Sequence, residues 1–317
     1  MAELSLPPCP SRPARRILTG VPPDPQSPEV IVPTTRRAVV TTLAAALTGA
    51  LGAPVHAAAT GGQGRPAPLR RAHAHNDYLH QRPLHDALSH GFTSVEADVF
   101  LVDGELLVAH EPAELDPART LRSLYLDPLL ARVRANHGGV YRGHRRSFQL
   151  LIDIKTDGVA AYLELDRLLR RYRRMLSSCA HGHVRPGAVT PLISGDRSAR
   201  APLEAQRVRY AFYDGRLEDL AAADPAPASF IPLISSNWTH SFSWLGTGEF
   251  APAEREKLHT LVTTAHRRSQ RVRFWATPDV PGPAREAVWH ELLTAGADHI
   301  NTDDLAGLEH FLRRHDR

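Results

Sequence analysis

Cysteine is almost absent from this chain of 317 residues: there are two, Cys9 and Cys179. Cys9 lies in a Pro-rich N-terminal stretch unlike the rest of the chain. The body of the protein therefore has neither an intrachain disulfide nor a cysteine-based zinc site. Lysine is equally scarce. Only Lys155 and Lys257 occur, and 36 of the 38 basic residues are arginine, which reads as a GC-rich coding bias and makes each lysine noticeable. Long apolar runs are missing too. The longest candidate, residues 38–53, is too short and too rich in Ala and Thr for a stable membrane span. Finally, there is no concentrated excess of charge. The formal net charge is +4, but residues 1–57 hold five Arg against Glu3, Asp24 and Glu29, which leaves 33 basic and 31 acidic residues beyond them. Basic clusters at 134–146 and 167–174 remain, the second on the outer face of a helical pattern. That distribution argues against nucleic-acid binding.

What is present begins with a leader. Residues 1–33 are unpatterned, and are followed by Thr35-Arg36-Arg37, the apolar run, and Val55-His56-Ala57. A twin arginine, a short apolar region and a small-residue cleavage site predict a cleavable twin-arginine export signal over residues 1–57, and hence a secreted protein. Residues 58–70 are a Gly/Pro/Ala linker. From there short apolar runs alternate with helical patterns. Strands are expected at 71–75, 94–100, 149–154, 189–194, 209–213, 230–235, 272–276 and 299–302. Helices are expected at 83–90, 123–136, 159–178, 202–206, 217–223, 252–270 and 283–295. Eight strands alternating with helices over residues 71–317 give an α/β fold, a single-domain (β/α)8 TIM barrel, with a small hairpin at Gly104. A monomer is expected.

Residues two apart in a strand face the same side. His73 and His75, Glu96 and Asp98, and Asp153 and Lys155 are three such pairs. In a barrel of this kind chemistry sits at the C-terminal strand ends. His75, Asp98, Asp153, Lys155, Trp275 and Asn301 all fall at or near such ends. Three carboxylates converging there, Glu96, Asp98 and Asp153, repel one another unless a cation lies among them. All-oxygen donors favour one divalent ion, Mg2+ or Ca2+. The competing reading pairs some of these acids with arginine. Lys155 either offsets their charge or holds an anionic phosphate oxygen. His75 and His110 are the acid–base candidates, His110 because it terminates the run Leu106-Leu107-Val108-Ala109. His73 reads as a support. Trp275 either walls a pocket or packs the core. A zinc amidohydrolase would want further histidines on the fifth and sixth strands, and those have none.

His75-Asn76-Asp77-Tyr78, Ser94-Val95-Glu96-Ala97-Asp98-Val99 and Leu107-Val108-Ala109-His110 resemble the phosphatidylinositol phospholipase C-like phosphodiesterases. Within that superfamily they look like a bacterial and fungal branch named after a yeast protein of altered mitochondrial inheritance. The resemblance covers roughly residues 71–310. It implies an exported, metal-dependent phosphodiesterase acting on a small-molecule or lipid phosphodiester. His75 and His110 fall at its two catalytic histidines, Glu96, Asp98 and Asp153 at its metal ligands, and Lys155 at a lysine near the phosphate. Trp275 and Asn301 match more loosely. Glycerophosphodiesterases follow the first histidine with Arg-Gly, whereas Asn76-Asp77 stands here. The Asn form is closer to the sphingomyelinase D-like pattern, in which a cyclic phosphate product arises. The rival expectation is a secreted barrel that binds a ligand or cell-wall polymer without catalysis.

Overall fold

Period-two alternation over short runs, broken by helical segments, builds the molecule from strands that bury both faces. The structure is a computed structural model that describes residues 67–316. The expected leader and most of the linker lie outside the described residues. Eight parallel strands pair in chain order. They are β1 (Leu69–Ala74), β2 (Phe92–Val102), β3 (Phe148–Ile154), β4 (Val189–Gly195), β5 (Phe212–Gly215), β6 (Leu233–Asn237), β7 (Arg271–Trp275) and β8 (His299–Thr302). β1 pairs with β8 on one side and β2 on the other, His73 lying opposite Asn301 and Ser94, so the sheet closes into the expected barrel. Glu105–Val108 runs antiparallel to the end of β2, which is the hairpin expected at Gly104.

Alternation sorts each strand into an outer and an inner face. On β2 the small apolar residues Val95, Ala97 and Val99 are fully buried in the main core, while Ser94, Glu96 and Asp98 take the other face. Leu150, Ile152 and Ile154 of β3 do the same. Each such Val, Leu or Ile side chain contributes roughly 1.5–3 kcal/mol by its removal from water. The helices that cover them begin and stop where local chemistry requires. Asp157 accepts from the amides of Val159 and Ala160 to start Gly158–Arg171. Pro283–Ala295 opens on a proline and stops at Gly296, whose φ of 84° suits the left-handed C-cap.

Four local expectations are corrected. The run 209–213 divides: Val208–Arg209 joins Ser178–Ala180 and His183–Arg185 in a small antiparallel sheet, and Phe212–Gly215 enters the barrel. Arg209 reaches the Ser229 carbonyl with Nη2, which leaves it no place in the barrel wall. The helix expected over 159–178 consequently ends at Arg171, because Ser178 is needed in that sheet. The helix at 123–136 starts as a π turn, Arg122–Leu126, and becomes α-helical over Asp127–Ala135. Pro128 has no amide proton with which to continue a regular ladder backwards. Leu305–His315, whose buried face is Leu305, Leu308, Phe311 and Leu312, was not anticipated.

Candidate active site

The barrel interior is polar where β7, β8, β1 and β2 meet. Arg273 of β7 donates from Nη1 to Glu96 Oε2 of β2 at 2.5 Å, and the same nitrogen lies 2.5 Å from His73 Nε2 of β1. These strands are not neighbours, so the contacts cross the lumen. His73 is fully buried, and desolvation together with the Arg273 charge lowers its pKa to about 4. It is therefore neutral. Nε2 accepts from Arg273, and the single ring proton sits on Nδ1, which donates to Ser94 Oγ at 2.6 Å. Burial would raise the Glu96 carboxyl, but the Arg273 guanidinium outweighs it and holds it well below the usual range. Arg273 thus fixes Glu96 in place, with His73 accepting from the same guanidinium nitrogen.

One layer above, at the C-terminal strand ends, the site opens. Asp98 and Asp153 are register partners on β2 and β3. Lys155 bridges them, with Nζ 3.1 Å from Asp98 Oδ2 and 2.9 Å from Asp153 Oδ1. Burial alone would lower the lysine, yet the two carboxylates raise it, so it stays charged. The Tyr78 hydroxyl donates to Asp98 Oδ2 at 2.6 Å and lies 2.9 Å from His110 Nδ1. Burial and the bond to Asp98 push the phenol up, so Tyr78 keeps its one proton. That proton serves Asp98, and the bond between Tyr78 and His110 is completed by the imidazole Nδ1–H. Asp98 itself is pushed up to about 6, first by burial and then by the charge of Glu96. Its Oδ1 is buried without a hydrogen-bond partner.

His75 stands on the opposite rim. Nδ1 is 3.1 Å from Asp303 Oδ1, just beyond β8. Burial lowers its pKa, but the Asp303 bond and the charges of Glu96 and Asp303 raise it above the ordinary imidazole value. With Nδ1–H held by a carboxylate, the Nε2 lone pair is free to act as a base. Asn76 lies between the two rims, its amide nitrogen 3.0 Å from His75 Nδ1 and its oxygen 2.8 Å from Tyr78 Oη. A φ of 46° at Asn76 turns the chain there, a conformation that asparagine tolerates better than most residues. Gly195, at the end of β4, has φ 79°, and a Cβ there would meet Ile154 O and sit 2.7 Å from Asp153 Oδ1. Glycine is required beside Asp153.

The structure thus brings His75, Asn76, Glu96, Asp98, His110, Asp153 and Lys155 to one end of the barrel. Trp275 ends β7 on the inner face, half-buried. Asn301 lies deeper, in register with His73, and its Oδ1 is buried without a partner. Among the described residues, no three His, Cys, Asp or Glu side chains are arranged to hold a metal ion. Two internal cations, Arg273 and Lys155, meet the charge of the three acids instead. The donor set still suits a hard divalent cation: all oxygen, one net negative charge, and an orphaned oxygen on Asp98.

A family model described as the AIM6-like phosphodiesterase domain matches residues 66–214. A second, for the glycerophosphoryl diester phosphodiesterase family, matches residues 271–306. The altered inheritance of mitochondria protein 6 homolog of Arthroderma benhamiae is 30% identical over 259 residues, covering 74% of this chain and 81% of the relative. Its Eremothecium gossypii counterpart is 31% identical over 280 residues, covering 77% and 69%. The chain belongs to the altered inheritance of mitochondria protein 6 family. That family is the branch expected from the motifs, within the phosphatidylinositol phospholipase C-like superfamily. A solved glycerophosphoryl diester phosphodiesterase from Parabacteroides distasonis is similar with a TM-score of 0.46 and 13% identity, covering 79% of this chain and 88% of that one.

Three side chains of this family member were missed in the sequence. Tyr78 sat inside the quoted motif without a role. Arg273 faces the same side as Trp275, so the two-residue rule that paired Glu96 with Asp98 would have found it. Asp303 lies two residues beyond Asn301 and just past the end of the expected strand, and only the turn after β8 returns it to His75. The Asn76-Asp77 pair, read as a unit in the sequence, is divided. Asp77 is fully buried beneath the loop, its Oδ2 accepting from the Leu84 amide at 2.6 Å and the Tyr125 hydroxyl at 2.9 Å. It shapes the loop and does not face the site.

Proposed function

We propose that this protein is an exported, metal-dependent phosphodiesterase that cleaves a glycerophosphodiester or phospholipid-type substrate by two-histidine acid–base catalysis. One observation carries the reading. Two imidazoles on opposite rims, each anchored through Nδ1, flank a lysine and three carboxylates at the C-terminal end of a barrel. His75, backed by Asp303, takes the proton of the attacking hydroxyl, from water or from the substrate itself. His110, backed by Tyr78 and Asp98, returns a proton to the leaving oxygen. Attack by the substrate's own hydroxyl would give a cyclic phosphate. Lys155 holds a non-bridging phosphate oxygen. Glu96, Asp98 and Asp153 would hold Mg2+ or Ca2+, which when bound draws charge from the phosphate. Val280, Leu79 and Leu245 are the most exposed large apolar side chains among the described residues. All three stand in segments that follow barrel strands, around the same end, which favours an amphiphilic substrate.

His75→Ala and His110→Ala should each lower phosphodiester turnover by about a hundredfold or more. Near-normal turnover in either folded variant removes that histidine from the mechanism. A second reading, a barrel that binds its ligand without catalysis, draws on the Lys155 bridge, which already neutralises two of the acids. Calorimetric titration with Mg2+ and Ca2+ separates the two: the enzyme binds a metal ion and loses it in Asp98→Asn, while the binder has no need of one.

A further inference from the structure

The end of the barrel away from the histidines carries a second concentration of charge. A cavity of about 300 Å3 opens there, lined by Arg70, Arg71, Arg146, Arg271, Asp298 and His299. All of these lie at or just before the N-terminal ends of β1, β3, β7 and β8. Their charges do not balance. Asp316 is shared by Arg70 and Arg71, at 3.4 and 3.2 Å. Asp298 is engaged by His266 Nε2 at 2.8 Å and by the Val272 amide. Arg271 donates only to the neutral imidazole of His299, Nη1 to Nε2 at 3.0 Å. Burial first, and then the surrounding arginines, hold the His299 ring well below its ordinary pKa, and its Nδ1 is buried without a partner. Arg146 has no carboxylate in ion-pair contact among the described residues. Arg146 and Arg271 therefore face one cavity without a direct ion-pair partner among the described residues, Asp298 acting on Arg271 only through its charge.

A purely structural role would call for acids at this place, since like charges brought together in a partly desolvated pocket repel. Paired guanidiniums instead suit the planar, two-pronged recognition of a phosphate oxyanion. We infer that the cavity at the N-terminal end of the barrel is a second anion site, distinct from the candidate active site, that binds a phosphate group between Arg146 and Arg271. The phosphate arrives free or as the monoester of a larger amphiphile. A neighbouring cavity of about 240 Å3 shares Arg70 and Arg146 and adds the apolar walls Leu69, Tyr141 and Phe148.

Calorimetric titration of the full chain with inorganic phosphate and with dihexanoyl phosphatidate, at low salt, tests this site. The measurement is repeated in Lys155→Gln, so that an anion at the candidate active site is not counted. Binding should persist in Lys155→Gln and weaken by about tenfold or more in Arg146→Gln, an exposed position where folding is not at stake. Arg271→Gln should show the same loss if it folds. Tighter binding of the phosphatidate assigns the site a lipid head group, and equal binding assigns it the free anion. Either result supports the site. Absence of binding in Lys155→Gln, or unchanged affinity in Arg146→Gln, overturns it.

Discussion

The inside of this barrel has two unlike halves. Across β3 to β6 the lumen holds an apolar cluster of Leu151, Leu192, Phe212 and Leu233, with Cys179 of the small sheet closing it, and buried Gln149, Ser194, Asp214 and Ser235 flank the cluster on the same strands. Across β7, β8, β1 and β2 the equivalent faces carry Arg273, His299, Asn301, His73, Ser94 and Glu96. The same two-residue alternation builds both halves. Within the apolar cluster it satisfies packing alone, and side chains of the right volume would serve. In the second it places ions and imidazoles out of water, which is costly unless each is matched. Such an arrangement persists where geometry at the mouth depends on it. The lone Cys179 belongs to the first half, as filling.

The largest effects should separate these halves. Arg273→Met leaves Glu96 buried without its counter-charge and should cost about 3–5 kcal/mol of stability, with turnover lost alongside. Leu192→Ala in the other half should cost about 3 kcal/mol, yet leave turnover per folded molecule unchanged. Denaturant unfolding paired with active-fraction assays reads both. Equal loss of turnover from the two variants would erase the distinction.

Subtler is the orientation of His75. Asp303→Asn removes a carboxylate that raises the histidine, so the acidic limb of kcat/KM should move to lower pH, with a smaller change in the plateau. A limb that stays in place would detach Asp303 from the base. An effect on stability alone concerns Asp77, outside the barrel lumen. Burial pushes its carboxyl from 3.8 up to about 7, against the bonds from Leu84 and Tyr125. Below pH 3.8 folded and unfolded chains both hold the proton. Between 3.8 and about 7 only the folded chain keeps it, so this group's contribution to stability falls as pH rises through that window. Asp77→Asn should flatten that slope in thermal denaturation, and an unchanged slope would assign it to other groups.

Much of this was legible in the sequence because parity and strand ends are local properties. His75, Glu96, Asp98, Asp153 and Lys155 follow from alternation plus the rule that chemistry gathers at C-terminal strand ends. What was not legible depends on closure. Nothing along the chain says that Arg273 crosses the lumen to Glu96, or that Asp303 returns to His75 from 228 residues away. The division of the run 209–213 likewise depends on a sheet that forms only after Ser178 comes near. In the sequence Asp77 reads together with Asn76 as a clue to substrate, and only the αL turn at Asn76 sends it into the core.

The central claim is that the polar half of the barrel supports cleavage of a phosphodiester. It is tested most directly by 31P NMR of the purified protein with a panel of glycerophosphodiesters, lysophospholipids and phosphoinositides, with and without Mg2+ or Ca2+. The account predicts that at least one diester resonance is replaced by a monoester or cyclic phosphate resonance, and that His75→Ala abolishes the change. Diester resonances that stay unaltered across the panel in the presence of metal would contradict it, and leave a barrel that binds without catalysing.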